Sequence, residues 1–310
     1  MWTSFRRLPR FRRSNDTTLK IGLLWTVVAI AGVGVCGEDS AYDQVVLADQ
    51  PVAFWDISAM DITEPDLSGN GNTGTYLNGL PAQVTMPNGD LAADFDGSTQ
   101  YLSVQSNPDG SLSIPMTGNL TWEAWISPDV LQFSHGGYVA FMGKCDSYAP
   151  TCEWESRMYS IDTSRPSRLS AYAFNPNAGL GSGAFWQPVD GLLQPTQWLH
   201  VVGEYTTQSQ PDNCNNASTY PGSIDIWVNG VKWDHSYHGQ TGCMSQYSVI
   251  PQANNSPLNI GTMAYDTWFQ GAIAKVAIYN YLLTQDQIAS HYTAMTGQDP
   301  TGSCADQCTF

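Results

Sequence analysis

The chain has 310 residues, of which 42% are hydrophobic, so it is long enough to bury a core within one principal domain. Its formal net charge is -16. Six of the 12 basic residues precede position 21, where Asp16 is the only acid, which leaves six basic residues against 27 of the 28 acidic ones in the rest of the chain. Such an acidic surface repels phosphate backbones and disfavours nucleic-acid binding.

Residues 1–36 have the pattern of an export segment. A basic stretch leads into the apolar run IGLLWTVVAIAGVGVC, whose roughly 15 residues fit a signal-peptide core and fall short of the ~20 that a spanning helix needs. The end of this run, Val33-Gly34-Val35-Cys36, resembles a bacterial lipobox, in which Cys36 would be lipidated. Cleavage near Cys36, its lipidation and an uncleaved signal anchor all stay open. Each predicts a secreted or cell-surface protein, with membrane contact only through the N-terminal segment or its lipid.

The next segment, LSGNGNTGTY at residues 67–76, has the G-x-G-x-x-G spacing of dinucleotide-binding loops. That motif functions between a buried strand and a helix. Here it follows the polar segment MDITEPDL and precedes TYLNGLPAQV, and both contain a proline. The glycines therefore predict turns with positive φ, not a nucleotide site.

From residue 42 to 282, short runs rich in β-branched and aromatic residues alternate with turn residues, which predicts many strands. The runs are VAFWDI, AADFD, YLSVQ, LTWEAWI, YVAFMG, MYSID, LSAYAF, WLHVVGEY, IDIWVN, VKWDHSY, LNIG and KVAIYN. Asn229-Gly230, between two of them, is the strongest short signal for a hairpin turn.

One segment near the end, LLTQDQIASHYTAM, predicts a helix. Thr284 is a good N-cap, Gln287 stands at the capping-box position, and Leu283 with Ile288 makes a hydrophobic staple. Gly297 then ends the helix. Many strands with one short C-terminal helix predict an all-β fold, a two-sheet antiparallel sandwich or jelly roll.

Seven cysteines fit an exported chain if Cys36 is removed or lipidated, because the other six can then pair. Six cysteines allow 15 connectivities. Local spacing favours a bond across the loop DSYAPT, one beside the open end of the Asn229-Gly230 hairpin, and one that closes the C-terminal tail. These pairs are Cys145 with Cys152, Cys214 with Cys243, and Cys304 with Cys308. A zinc site is disfavoured because the chain has no CxxC motif.

Eight segments occur in the order seen in laminin G-like jelly-roll domains of the concanavalin A-like superfamily, and the chain resembles that family over about residues 42–292. They are VVLADQPVAFWDI, DLSGNGNTGTY, AADFDGSTQYLSV, LTWEAWISP, TQWLHVVGEY, IDIWVNGV, LNIGT and FQGAIAKVAIYNYLLTQDQIASHY. The resemblance implies two antiparallel sheets packed face to face, one of them concave, with residues 293–310 as a tail. It also implies no charge role for Ala274 and Lys275, which replace an acidic pair often seen in the family.

Many domains of this kind bind calcium at loop ends, and hard oxygen donors in loops suit that ion. Asp66 and Asn70 in the glycine-rich loop, with Asp94 or Asp96, are the candidate ligands. The alternative is that these residues serve tight turns, which favour Asp and Asn without any metal.

No catalytic residue is assigned. Glu153 and Glu155 are the best carboxylate pair, because residues i and i+2 of a strand point to one side roughly 7 Å apart. However, the residues that follow depart from the E-x-D-x-x-E arrangement of glycosidases with this fold. His200 and His291 lie inside the resembling segments and are interpreted as hydrogen-bonded structural positions.

Aromatic side chains remain as binding candidates, since they can stack on sugar rings. Most tryptophans in alternating strands are predicted to be core, whereas Trp154, Trp186 and Trp268 stand beside loops rich in Gly, Pro, Asp and Asn and are the predicted ligand-binding residues. The sequence therefore predicts a non-enzymatic binding or adhesion module for an extracellular glycan or protein, with calcium as the candidate cofactor. A glycoside hydrolase or polysaccharide lyase, and a structural surface protein without glycan binding, are the alternatives.

Overall fold

The fold is an antiparallel β-sandwich with two helices in the part of the chain that the structure describes. The computed structural model describes residues 40–114, 117–134, 136–145, 151–175, 179–189, 191–206, 223–233, 253–263 and 267–300. The strands and helices in chain order are α1 (Ala41–Ala48), β1 (Ala53–Trp55), β2 (Thr63–Glu64), β3 (Gly74–Leu77), β4 (Ala82–Thr85), β5 (Leu91–Asp96), β6 (Tyr101–Val104), β7 (Asn119–Pro128), β8 (Tyr138–Lys144), β9 (Trp154–Tyr159), β10 (Leu169–Asn175), β11 (Gly179–Trp186), β12 (Leu199–Thr206), β13 (Ser223–Val228), β14 (Val231–Lys232), β15 (Leu258–Ile260), β16 (Thr262–Met263), β17 (Thr267–Trp268), β18 (Gln270–Tyr279) and α2 (Gln285–Thr296).

Two eight-stranded sheets form the sandwich. The back sheet has the order β14-β13-β12-β7-β18-β5-β4, and β1 also pairs with β18. The front sheet has the order β11-β10-β9-β8-β15-β6-β3-β2. The predicted all-β, two-sheet jelly roll is confirmed, and each of the twelve predicted runs overlaps a strand.

The core between the sheets is dominated by aromatic packing. Trp122 of the back sheet stacks on Trp154 of the front sheet with ring centroids 5.0 Å apart, and the Trp122 Nε1 donates to Ser156 Oγ at 2.8 Å. Gly203 leaves the space that the Trp122 ring fills, since a Cβ there would approach the indole to 2.4 Å. The absence of a side chain at Gly203 therefore makes room for the large Trp122 ring in a close-packed core.

The local turn and cap predictions hold in detail. Asn229 and Gly230 have φ of 53° and 75°, the left-handed pair that a two-residue hairpin needs. Helix α2 begins after Thr284 with the full capping box and ends at Gly297 in the left-handed conformation. In the glycine-rich loop, Gly69 and Gly71 have φ of 79° and 84°, as the turn interpretation requires.

Helix α1 was not predicted, and it corrects the expectation of one helix. Ser40 caps it, with a reciprocal bond between the Asp43 carboxylate and the Ser40 backbone, and Tyr42 and Val46 are buried one turn apart. Both helices cover the outer side of the back sheet, in a cluster with residues such as Trp125, Tyr279 and Ile288. Neither helix, nor any other in the described residues, is long and apolar enough to cross a membrane.

Candidate ligand-binding face

The side of the front sheet that points away from the core carries its own cluster of side chains. Trp154, Met158 and Leu169 point into the core. Because side chains alternate along a strand, their neighbours point outwards. This outward side, the front face, contains a separate buried cluster of Ala140, Cys145, Cys152, Tyr172, Phe174 and Met263.

A disulfide between Cys145 and Cys152 closes the loop between β8 and β9 beside this cluster. It is the bond predicted across DSYAPT. The other predicted cysteines, Cys36, Cys214, Cys243, Cys304 and Cys308, lie outside the described residues.

The centre of the front face is an ion pair set among aromatic rings. The Arg157 guanidinium lies over the rings of Tyr138 at 4.3 Å and Tyr172 at 4.8 Å, and it pairs with the Glu155 carboxylate. Arg157 is 6% exposed and Glu155 is fully buried. The pair therefore holds the strands and rings in place and has little surface for a ligand.

Accessible aromatic and basic groups lie where the strands end. Tyr138 begins β8 and stands opposite Tyr159 on β9, and Arg165 in the following loop lies 5.2 Å over the Tyr159 ring. On the other side of β8, the β16–β17 hairpin brings Trp268 edge-on to Tyr101 with centroids 5.9 Å apart. Tyr101, Tyr138, Arg165 and Trp268 are all partly exposed, and we call them the front rim.

The loop that carries Arg165 is ordered by its own hydrogen bonds. Ser160 Oγ donates to the Asp162 carboxylate at 2.5 Å and accepts from the Phe133 backbone at 3.1 Å. Two hollows flank this loop, one of about 660 Å³ beside Gly137 and Thr163 and one of about 270 Å³ beside Pro166 and Val189. Arg165 of the front rim therefore lies on a hydrogen-bonded loop between two hollows.

Two arginines and a second tyrosine act on the Tyr159 hydroxyl. Burial raises the pKa of Tyr159, but a hydrogen bond with Tyr172 and the charges of Arg157 and Arg165 outweigh burial, so its pKa lies below the ordinary value. Arg165 Nη1 also donates to the Tyr159 hydroxyl at 3.0 Å. Both arginines therefore lie close enough to stabilise charge on the Tyr159 hydroxyl.

Only one of the three predicted ligand-binding tryptophans lies on an accessible surface. Trp154 is fully buried, stacked on Trp122, and its Nε1 donates to the Leu112 carbonyl at 2.9 Å. Trp186 is 8% exposed and belongs to the core between the sheets. The prediction is wrong for these two because their strands turn the indoles inward, whereas Trp268 lies in the front rim.

The candidate calcium ligands do not converge. The Asp66 carboxylate accepts backbone N–H groups from Phe54, Ser68 and Asn72 at 2.9–3.0 Å, and the Asn70 amide donates to the Val52 carbonyl at 3.2 Å. Within the ranges that the structure describes, no group of three or more His, Cys, Asp or Glu side chains is placed to hold a metal, so Asp66, Asp94 and Asp96 do not form one site.

Asp94 and Asp96 have different surroundings and different structural roles. Asp96 accepts three backbone N–H groups, from Ser98, Thr99 and Gln100, and closes a turn. Asp94 lies beside Asp129, and burial together with that neighbouring acid raises the pKa of Asp94 to about 6. The turn alternative explains Asp66, Asn70 and Asp96, and calcium binding by the chain stays a prediction.

The carboxylates considered for catalysis are fully buried and paired. Glu153 meets Lys144 Nζ at 3.0 Å and accepts from Ser113 Oγ and the Asn254 backbone, while Glu155 meets Arg157. Neither is exposed to a substrate. Their pairing accounts for them as structural charges.

On the back sheet, the histidine prediction is confirmed. Glu123 is bound by His200 Nε2 at 3.1 Å and His291 Nδ1 at 3.0 Å, and it accepts the Tyr279 hydroxyl at 2.7 Å. His291 Nε2 also meets Asp49 at 3.0 Å. His200 and His291 are fully buried in this network, which joins α1, α2 and the sheet.

Lys275 overturns the expectation of no charge role in its strand. Its side chain is buried, and Nζ meets Asp43 and Asp56 at 2.6 Å and Asp90 at 2.8 Å. Burial lowers the pKa of Lys275, but the neighbouring carboxylates raise it by a larger amount, so the net shift of the pKa is upward. The residue fixes α1 and two loops to the back sheet.

Comparison with known proteins agrees with this architecture. A profile of laminin G type from the concanavalin A-like lectin/glucanases superfamily matches residues 96–289. The chain belongs to this family. No curated protein matches the chain in sequence.

Solved structures share the fold of this laminin G-like domain at low sequence identity. Domain 4 of AbnA, an extracellular arabinanase from Geobacillus stearothermophilus solved with arabinotriose, is 17% identical, with TM-score 0.50 over 78% of this chain and 98% of that one. The ligand-binding domain of botulinum neurotoxin serotype D, solved with N-acetylneuraminic acid, is 13% identical, with TM-score 0.54 over 82% of this chain and 52% of that one. The binding domain of Paraclostridial Mosquitocidal Protein 1 is 14% identical, with TM-score 0.54 over 80% and 53%. The laminin G-like chain thus spans about half of the two toxin domains.

Tyr101, Tyr138 and Arg165 of the laminin G-like domain were not singled out from the sequence. A signal was available, since only six basic residues follow residue 36 and three of them are the arginines at 157, 165 and 168. Such clustering of arginines is unusual in an acidic chain and singles out this stretch. Tyr101 and Tyr138 carry no comparable signal, because strand tyrosines occur on both sides of the sheets.

Proposed function

We propose that the protein is a secreted or cell-surface, non-enzymatic carbohydrate-binding module that binds its ligand at the front rim. The observation that carries the proposal is the pairing of Trp268 with Tyr101, two partly exposed rings at one end of the front sheet. Aromatic faces stack on the C–H faces of sugar rings at modest entropic cost. Tyr138, the first residue of β8, is a further partly exposed ring of the front rim.

Three further points support this proposal. The fold is shared with an arabinanase domain solved with arabinotriose and with a toxin domain solved with N-acetylneuraminic acid. The Cys145–Cys152 disulfide suits an oxidising, extracellular compartment. The apolar segment before residue 37 has the pattern of an export signal.

The test is a glycan-array screen of the full chain, with Trp268→Ala as the variant and Trp198→Ala as the matched control. Trp198 is also partly exposed, but it packs against the helix-covered cluster of the back sheet. We expect Trp268→Ala to weaken glycan binding at least about tenfold, because one stacking platform is lost, and Trp198→Ala to leave it unchanged. Equal loss in both variants, or no glycan bound by the native chain, contradicts the proposal.

A chelator arm tests the calcium component of the proposal. If calcium orders the loops of the site, binding falls in EDTA and returns with added Ca²⁺. Binding that is identical in EDTA leaves a calcium-independent module. Release of reducing ends from any bound glycan would instead identify the hydrolase alternative.

A further inference from the structure

Most of the basic residues after residue 36 lie in or beside the front sheet. Of the six basic residues after residue 36, four lie between positions 144 and 168, on β8, β9 and the loop after β9. The chain after residue 36 carries 27 acidic residues, and four of them, at positions 146, 153, 155 and 162, lie in the same stretch. The basic residues are therefore clustered in sequence, and the partner of each one decides whether its charge is available to a ligand.

The guanidinium groups rest on aromatic rings. Arg168 lies 3.8 Å over the Phe185 ring, and both its Nε and Nη2 donate to the Gln187 side chain. Arg165 lies over Tyr159 and donates to the Tyr159 hydroxyl. Stacking on a ring fixes a guanidinium while leaving N–H groups at its edge for another acceptor.

Arg165 differs from the other charged groups in what it pairs with. Arg157 is neutralised by Glu155 and Lys144 by Glu153. Arg165 makes no ion pair with any residue in the described ranges, and it is partly exposed beside Tyr138 and Tyr159. A charged, oriented and accessible donor beside aromatic rings is suited to a carboxylate or sulfate on a sugar.

We propose that the ligand of the front rim is an acidic carbohydrate, whose carboxylate or sulfate binds Arg165 while its sugar rings stack on the rim aromatics. This rests on the proposed function and narrows its ligand class. The chemistry required is one anionic group on a sugar ring, which uronic acids, sialic acids and sulfated sugars all provide.

The experiment is isothermal titration of the full chain with acidic sugars and their neutral counterparts. The probes are 3′-sialyllactose and lactose 3′-sulfate, each against lactose, and trigalacturonic acid against its methyl ester. We expect at least one acidic probe to bind about tenfold or more tightly than its neutral counterpart, and the three arms identify which anion is preferred. The preference should weaken between low and high salt.

Arg165→Gln should abolish the acidic preference, so that each acidic probe binds no more tightly than its neutral counterpart. Arg165→Lys should restore only part of it, because a lysine offers no planar fork to a carboxylate. Lys232→Gln, which removes a partly exposed positive charge from the back sheet, is the matched control and should behave as the native chain.

Three results would overturn the inference. Equal affinity for acidic and neutral probes, with loss of both in Trp268→Ala, leaves the carbohydrate-binding module standing and removes only its acidic ligand class. An acidic preference that persists in Arg165→Gln places the anion elsewhere. Absence of binding by any probe, together with an empty glycan array, contradicts both proposals.

Discussion

The two outer sides of the sandwich surround their charged side chains with different partners. On the back sheet, Lys275 is surrounded by carboxylates from Asp43, Asp56 and Asp90, and Glu123 is bound by two histidines. Two helices cover that side. On the front sheet, Arg157 is paired with Glu155 and also lies over aromatic rings, and Arg165 lies over the Tyr159 ring.

This difference distinguishes charged groups with a structural role from those that the proposed ligand would contact. A cation with several carboxylate partners has its hydrogen bonds satisfied, and breaking them leaves unpaired buried charge. A guanidinium stacked on a ring keeps its charge and some of its donors available. The back side is therefore a fixed support, whereas the front rim keeps the donors and rings that the proposed ligand would use.

The largest expected effect on stability concerns the ion pairs of Lys275 on the back sheet. Lys275→Met should lower the free energy of unfolding by about 3–5 kcal/mol, because it leaves the buried Asp43 and two partly buried aspartates without their counter-ion. Urea titration measures it. The control is Lys232→Met, whose pair with Asp225 at 3.0 Å is partly exposed and should cost at most about 1 kcal/mol. Equal costs would show that the helix-covered network contributes no more than a surface ion pair.

The next effect concerns the bracing of the front face. Replacing Cys145 and Cys152 together with serine should lower stability by about 2–3 kcal/mol, since a short loop is no longer closed in the unfolded chain. Thermal melting should show this as a fall of roughly 5–10 °C. If the double variant melts with the native protein, the bond does not stabilise this side of the sandwich.

The pH dependence of stability distinguishes the contributions of the two histidines in the back-sheet network. Both ring nitrogens of His291 meet carboxylates, so the ring is an imidazolium, whereas His200 has no partner at Nδ1 in the described structure and is a neutral ring that donates through Nε2. Burial lowers the pKa of both, but Glu123 and Asp49 reverse the shift for His291, whose pKa is raised, and not for His200, whose pKa is lowered.

The sign follows from which state binds the proton more tightly. The contribution of His291 is present below pH ~6.5 and is lost as pH rises through its raised pKa, whereas that of His200 is lost as pH falls below ~6.5. His291→Gln should cost about 2 kcal/mol at pH 6 and flatten the decline above pH ~6.5. His200→Gln should flatten the fall in stability below pH ~6.5. Urea titrations across this range check both, and equal pH profiles for the two variants contradict the assignment.

The smallest expected effect is a gain. The pKa of Asp94 is raised to about 6 by burial and by Asp129, so the folded chain holds this proton and loses stability as pH rises through that value. Asp94→Asn should stabilise the protein at pH 7 by less than about 1 kcal/mol, because the group is partly exposed, and leave stability at pH 4 unchanged. Thermal melts at both values test this, with Asp96→Asn expected to destabilise by removing a turn acceptor.

Local sequence signals predicted the regular elements well. The Asn229-Gly230 hairpin and the Thr284 cap depend on neighbours within a few residues, so their chemistry can be recognised without knowing the fold. The strands β2, β4, β16 and β17 are two to four residues long and carry no clear alternation. Helix α1 has an aspartate where a capping box usually has Glu or Gln.

The candidate site was predicted only in part. Trp268 was singled out correctly as a surface aromatic, but Trp154 and Trp186 have the same kind of loop neighbours and point into the core. A residue near a strand end can face either side, and one step of register exchanges the two sides. Proximity to a loop therefore cannot separate a binding ring from a core ring.

By itself, the sequence determined the fold class, the principal turns and the C-terminal helix, because each follows from periodicity and caps within short segments. Only the tertiary structure decided that Lys275 collects carboxylates from residues 43, 56 and 90, and that Tyr101 meets Trp268. These partners are brought together by strand order, over separations of up to 232 residues. Pairing of charges and rings at such distances depends on register and sheet topology, which no local pattern encodes.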